Sequence, residues 1–187
     1  MTTTFHTATT LDGFLADPDD SLDWLLRQEQ GAEGEAEFAD FMAGVGAILM
    51  GSTTYEWVVR HLDAAGGGAW PYSVPSWVMT SRELERLPGA DIRFASGDVG
   101  AVHAAMREAA GDRPLWVVGG GDLAGQLADA GLLDEVVVSV APVVLGAGRP
   151  LLPRRLDLEL VETHRAGAFV VSRYRVAGPL REDRTAP

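Results

Sequence analysis

Cysteine is absent from the 187 residues, so no disulfide, thiolate metal site or cysteine nucleophile can exist. Lysine is absent as well. All 15 basic side chains are arginine, a composition bias that carries no mechanism. No apolar run is long enough to span a bilayer, and the opening MTTTFHTATTLDG has no basic stretch leading into an apolar one. A cytoplasmic location is therefore the expectation. Positive charge is scarce: the formal net charge of −12 opposes a nucleic-acid partner or an anionic membrane, since either needs a field of the opposite sign. An anionic cofactor remains compatible with that charge, because backbone donors and a few arginines suffice to hold one.

The chain does have apolar mass, 47% of its residues, enough for one sizeable core. Residues 1–178 are expected to form one domain and 179–187 a frayed tail. Its most informative stretch runs from Pro114 to Pro153. Leu115 to Val118 is a short unbroken apolar run, suited to a strand buried on both faces. Gly119, Gly120 and Gly121 follow at once and remove every Cβ where the chain leaves the strand. From Asp122, a candidate first-turn residue, Leu123, Leu127, Ala128 and Leu132 fall on one helical face. Glu135 to Val144 then reads as a second buried strand, stopped by Leu145-Gly146-Ala147-Gly148.

The same grammar occurs earlier. Gly46 to Met50 is an apolar strand, Gly51-Ser52-Thr53-Thr54 follows, and Tyr55 to His61 reads as helix. Strand, glycine and helix start together make an anion site, because unpaired N–H groups and the helix dipole converge there. In a parallel sheet both starts lie on the carboxyl edge, where one diphosphate could bridge them. Glycine after a strand also serves a tight turn, so neither start alone names a ligand. The spacing Gly119-x-Gly121-x-x-Ala124 meets the loose dinucleotide fingerprint of Rossmann folds, but it lies outside the first strand-helix unit, and Asp134 and Glu135 open their strand instead of closing it.

The other elements follow from period and punctuation. Thr2 to Thr10 alternates as a strand, with Phe5 on one side and His6 and Ala8 on the other, and Leu11 to Asp20 is a loop. Ser21 caps a helix over 22–28; after an acidic connector at 30–35, a second helix covers 36–42. Leu62 to Pro75 is a long loop in which Trp70 could line a pocket. Strands at 76–80 and 91–95, a helical turn at 83–87 and a helix at 98–110 complete the middle. Leu156 to His164 and Ala168 to Val176 form an antiparallel hairpin around Gly167. The fold class is therefore α/β, a mostly parallel central sheet flanked by helices on both faces, with a C-terminal antiparallel hairpin.

Thr80-Ser81-Arg82, at a strand end, offers two hydroxyls and a guanidinium to a monoester phosphate such as the 2′-phosphate of NADPH. Asp17, Asp19 and Asp20 read as turn residues, and no EF-hand spacing or histidine cluster marks a metal site. Asp12, beside Gly13, and Asp23, beside Trp24, are kept as substrate partners or proton relays.

Taken in order, these motifs resemble the dihydrofolate-reductase-like superfamily, and in particular the reductase domain of bacterial riboflavin biosynthesis proteins. Thr10-Leu11-Asp12-Gly13 is similar to the family's Ser-Leu-Asp-Gly segment. Met50-Gly51-Ser52-Thr53-Thr54-Tyr55-Glu56 resembles its Met-Gly-x-x-Thr-Tyr/Trp-Glu signature. Gly119 to Gly121 matches its Gly-Gly step, a cis peptide in the folate enzymes, and Leu145 to Pro150 its Leu-Gly-x-Gly-x-Pro turn.

The resemblance implies an NADPH-dependent reductase that passes hydride to a C=N or C=O carbon of a small pyrimidine-, pterin- or carbonyl-type substrate. It implies that Gly51 to Thr54 and Gly119 to Ala124 (with Gly120, Gly121, Asp122 and Leu123) grip the diphosphate and its neighbours. Thr80, Ser81 and Arg82 would take the 2′-phosphate, and Ala8, Leu15 and Ala16 the nicotinamide. Asp12 and Asp23 would be catalytic, with Gly13, Trp24, Tyr55 and Trp70 on the substrate side. A homodimer through the C-terminal strands is expected, and no metal. The folate enzymes place a carboxylate one helical turn before an aromatic pair; here Asp23 directly precedes Trp24, which sets true dihydrofolate reduction second. A non-catalytic dinucleotide-binding or structural dimer is the alternative of another class. The zinc signature of a fused deaminase is absent, so a stand-alone paralogue is expected.

Overall fold

Apolar runs bounded by glycine become the central strands of the computed structural model, which describes residues 1–29, 31–64 and 66–183. β1 (Thr3–Thr10), β3 (Ala47–Gly51), β6 (Leu115–Gly119) and β7 (Glu135–Ala141) occupy its middle. β4 (Ser76–Met79) and β5 (Ile92–Ala95) extend one side, β9 (Leu156–Ala166) and β10 (Phe169–Pro179) the other. The order is β5-β4-β3-β6-β1-β7-β10-β9. Every pair from β5 to β7 is parallel, whereas β10 runs antiparallel to both neighbours. The expected architecture is therefore the one found.

Burial on both faces explains why β3 reads Ala-Ile-Leu-Met. Ala47 and Leu49 enter a cluster with Phe5, Leu115, Val117 and the inner faces of α4 (Val99–Ala110) and α5 (Gly121–Asp129). Ile48 and Met50 enter the opposite cluster, with Val45, Tyr55, Val78 and Trp116. Each large aliphatic side chain so withdrawn from water contributes roughly 1.5–3 kcal/mol. α3 (Ser52–Ala64) and α2 (Gly31–Gly44) cover that second face. The Asp98 carboxylate caps α4 by accepting from Gly100 N and Ala101 N, both at 3.2 Å. No helix among the described residues is long and apolar enough to cross a membrane.

Four local expectations change. α1 (Asp23–Leu26) is shorter than 22–28, and Ser21 supports it through Asp23 N donating to Ser21 Oγ at 3.1 Å. α2 starts at Gly31 and not 36, so only Gln30 of the expected connector precedes it, outside the described residues. No helical turn forms at 83–87, because the backbone there is spent on tertiary bonds: Glu85 O accepts from the Tyr55 hydroxyl at 2.5 Å. Within the 11–20 loop, Phe14–Ala16 forms β2 against β8 (Arg149–Pro150), a two-stranded ribbon too short to signal itself by alternation. The hairpin turns at Gly167, whose φ of 58° suits glycine. β10 runs on through Gly178 to Pro179, and a 3-10 turn (Arg181–Asp183) is tied back by Asp183 to Arg155 at 2.7 Å. Residues 184–187 of the expected tail, and Ala65 of the expected loop, lie outside the described residues.

Candidate active-site cleft

Because β3 and β6 are parallel neighbours, their carboxyl ends share one rim, and each ends in glycine. A Cβ on Gly51 would stand 3.9 Å from Gly120 N, so the two chain reversals touch. The Gly119–Gly120 peptide is cis. α3 begins at Ser52, one residue past Gly51, and α5 begins at Gly121 behind the cap residue Gly120, whose extended backbone provides no capping side chain. Two helix starts thus aim free N–H groups and positive dipole ends at one place. That place is open. A cleft of about 1300 Å3 is lined there by Gly51 to Thr54 and by Gly119 to Leu123, and its wall continues through Ala8, Leu15 and Ala16. Nothing lies within 4 Å of a Cβ built on Gly120, so a diphosphate has room against the bare backbone. The residues present fit a dinucleotide.

Thr80, Ser81 and Arg82 follow β4, the next strand along, but do not line the cleft. Arg82 N donates to Thr80 Oγ1 at 2.9 Å, and the guanidinium forks onto Glu56 with contacts of 3.1 and 2.7 Å. A phosphate there has to compete with Glu56 for it. Ala124 is wholly buried inside α5 and belongs to the core.

The residues expected on the substrate side are not brought together. Asp12 accepts from Thr10 Oγ1 at 2.6 Å, from Gly146 N at 2.7 Å and from Leu145 N at 3.1 Å. These bonds, the Thr10 hydroxyl first, hold its carboxyl below the usual range and fasten the 11–20 loop to the turn after β7. Gly13, at φ 81°, accepts from Leu151 N at 2.9 Å in the same seam. Asp23 is exposed on α1, and Trp24 is buried against Ala141 and Phe169. The Tyr55 ring lies in the core, and the Trp70 indole donates to Ser76 Oγ at 3.0 Å. None of these six lines the cleft.

Other side chains do. Arg149 of β8 forks onto Asp20 at 2.6 and 3.0 Å at the mouth, and that bond lowers the Asp20 pKa. The floor follows the register of four strands. One row runs His6, Val137, Arg173, Glu162, and the next Ala8, Ser139, Val171, His164. His6 sits edge-on to Phe41 with ring centres 4.5 Å apart, and its Nδ1 is buried without a partner. Burial above all, helped by the Arg173 charge and opposed by Glu37, lowers its pKa to about 4, so the imidazole is neutral at pH 7. The alternation of β1 already set His6 on the side of Ala8. What the sequence withheld was that this side becomes the cleft floor.

The model of the RibD C-terminal domain matches residues 2–171. The chain is 29% identical over 175 residues to YwjB of Bacillus subtilis, covering 92% of this chain and 96% of that protein. Among solved structures, a candidate riboflavin biosynthesis protein from Shewanella sp. PV-4 superposes with a TM-score of 0.77 at 26% identity, over 94% of this chain and 99% of that one. A Thermotoga maritima protein, named as a diaminohydroxyphosphoribosylaminopyrimidine deaminase and 5-amino-6-(5-phosphoribosylamino)uracil reductase, shares the fold. Its TM-score is 0.62 at 16% identity, over 94% of this chain and 56% of that one.

Proposed function

The chain belongs to the RibD C-terminal domain family, and from that premise we propose that it is an NADPH-dependent reductase of a small pyrimidine-, pterin- or carbonyl-type compound. The observation that carries this reading is the contact of the Gly51 and Gly119–Gly121 reversals on one rim, open to the cleft. NADPH, when bound, supplies a hydride for a C=N or C=O carbon. The backbone N–H groups at the starts of α3 and α5 would hold its diphosphate, with Thr53 and Thr54 hydroxyls beside them. Ala8, Leu15 and Ala16, small or apolar and on the cleft wall, would flank the nicotinamide and exclude water from the reacting face. The protein's contribution is then orientation, which is where such sites gain most of their rate. Asp12 and Asp23 have no part in it, since one carboxylate is engaged in the loop seam and the other faces solvent.

Titration of the purified protein with NADPH and with NADH, followed by nicotinamide fluorescence, tests the proposal. Binding of NADPH supports it. No response to either nucleotide sinks it.

A second copy of the chain is the partner proposed. Among the described residues β9 pairs with β10 alone, and its eleven residues leave Leu158, Leu160 and Val161 39%, 59% and 48% exposed. A long edge strand with exposed aliphatic side chains among its charges invites pairing unless it is covered.

A further inference from the structure

Past the glycine turns the cleft continues between the sheet and α2, and this outer half is built for a flat ring. Phe38 and Phe41 of α2 stand edge-on to Trp116 at 5.6 and 5.7 Å between ring centres, and Phe38 is 40% exposed. Val137, Val171 and the neutral ring of His6 floor it. Phe38, Phe41 and Trp116 all line the cleft, and the aromatic surface they present there is one against which another ring packs well.

The charges around this half of the cleft are unevenly matched. Three carboxylates border it: Glu37 and Asp40 on α2 and Glu162 on β9. Against them stand one guanidinium, Arg173, already 3.2 Å from Glu162, and one imidazole, His164, already 2.9 Å from Glu37. Asp40 has neither an ion pair nor a hydrogen bond through its carboxylate among the described residues. The chain as a whole carries −12. The other cleft arginine, Arg149, is held by Asp20 at the mouth. A dianionic phosphate ester entering this half would meet three carboxylates and a guanidinium that one of them already holds; a protonated amine would be drawn by the same carboxylates, Asp40 above all, with Arg173 as the opposing charge.

We infer that the substrate half of the cleft takes a flat heteroaromatic compound carrying a protonated amino or amidine group and no phosphate. The inference rests on the proposed reductase reading for the word substrate, but the pocket's preference is measurable without it. It separates this chain from the phosphoribosyl chemistry in the name of the Thermotoga protein.

Calorimetric titration of the full chain with 2-aminobenzimidazole and with phenyl phosphate decides it. The expected result is that the amine binds at least ~10-fold more tightly, near pH 6.5 where it is protonated. The double variant Glu37→Gln, Asp40→Asn, at two exposed positions, should weaken the amine by at least about fivefold while its denaturation midpoint stays close to that of the parent. Arg173→Gln should strengthen it, because Glu162 is then left unopposed. Phenyl phosphate binding as well as the amine, or an amine affinity indifferent to these substitutions, overturns the inference. Nicotinamide fluorescence is recorded separately on the same samples. Amine binding without NADPH binding sinks the reductase reading and leaves the pocket assignment standing.

Discussion

Thr54 and Gly119 meet across the rim of the sheet: a Cβ on Gly119 would lie 3.0 Å from the Thr54 hydroxyl oxygen. The start of α3 and the end of β6 are in contact only because glycine stands at this position, whereas Gly51 and Gly120 in the same candidate diphosphate cradle have room where a Cβ would stand. Glycines in the cradle should therefore fall into two classes. A Cβ on Gly121 would run into the backbone carbonyls of Pro150 and Leu151, which cannot yield. Gly121→Ala is expected to lower stability by about 1–3 kcal/mol in urea denaturation. A Cβ on Gly51 meets nothing closer than 3.9 Å. Gly51→Ala should keep its denaturation midpoint yet lose roughly tenfold in NADPH affinity, and unchanged affinity would remove Gly51 from the cradle.

Arg82 offers a test of cofactor choice. Its fork onto Glu56 is exposed, with side-chain accessibilities of 55% and 33%, so the pair adds only ~0–1 kcal/mol to stability. Glu56→Gln should leave the melting temperature nearly unchanged and widen the preference for NADPH over NADH. Arg82→Gln should make the two affinities equal. A preference that ignores both substitutions places the 2′-phosphate elsewhere.

His6 predicts an acid-side stability slope. Its pKa falls from 6.5 to about 4 on folding, so between those values the unfolded chain binds the proton and the folded chain does not. The part of the stability that depends on neutral His6 is complete above pH 6.5 and declines as pH falls toward 4, by on the order of 3 kcal/mol. His6→Phe should flatten that interval in denaturation midpoints measured from pH 4 to 7. A slope that persists assigns it to other groups.

Asp12 is expected to behave as a structural carboxylate. Its lowered pKa means that its contribution is present above the ordinary carboxylate range and is lost as pH falls through the folded value. Asp12→Asn should lower the melting temperature at pH 7 but leave kcat unchanged at a temperature where the variant is folded. Loss of kcat with an unaltered melting temperature would return Asp12 to the chemistry.

The exposed edge of β9 predicts the assembly state. Light scattering should give twice the chain mass, and Leu160→Glu should return it to the monomer. A wild-type monomer across micromolar concentrations would leave that edge uncovered.

Most of the architecture was legible because β3, β6 and β7 are apolar runs closed by glycine or bounded by turns, a signal that requires no knowledge of neighbours. The two anion-site starts were legible for the same reason. Their adjacency was not, since only the order β3-β6 puts Gly51 against Gly120. Residue type misled where aromatic side chains were expected at the substrate: Trp24, Tyr55 and Trp70 are large enough to be claimed by the core, and they are. The Arg173 to Glu162 pair lies in the unbroken register between the Gly167 turn and the bulge after Arg173, so the hairpin implied it; that its face lines the cleft depends on β10 lying against β7, which the hairpin alone does not tell. Arg149 was hidden in a two-residue strand that exists only because β2 meets it.

The loop that follows β1 and the segment that follows β7 are stitched together along their length, by Asp12 to Gly146, Gly13 to Leu151, Phe14 to Pro150 and Asp20 to Arg149 among others. Residues about 130 positions apart in the chain therefore form one flap beside the entrance. An insertion or deletion on either side of that flap is tolerable only with a matching change on the other, so the two lengths should drift together among relatives while the rest of the rim varies freely.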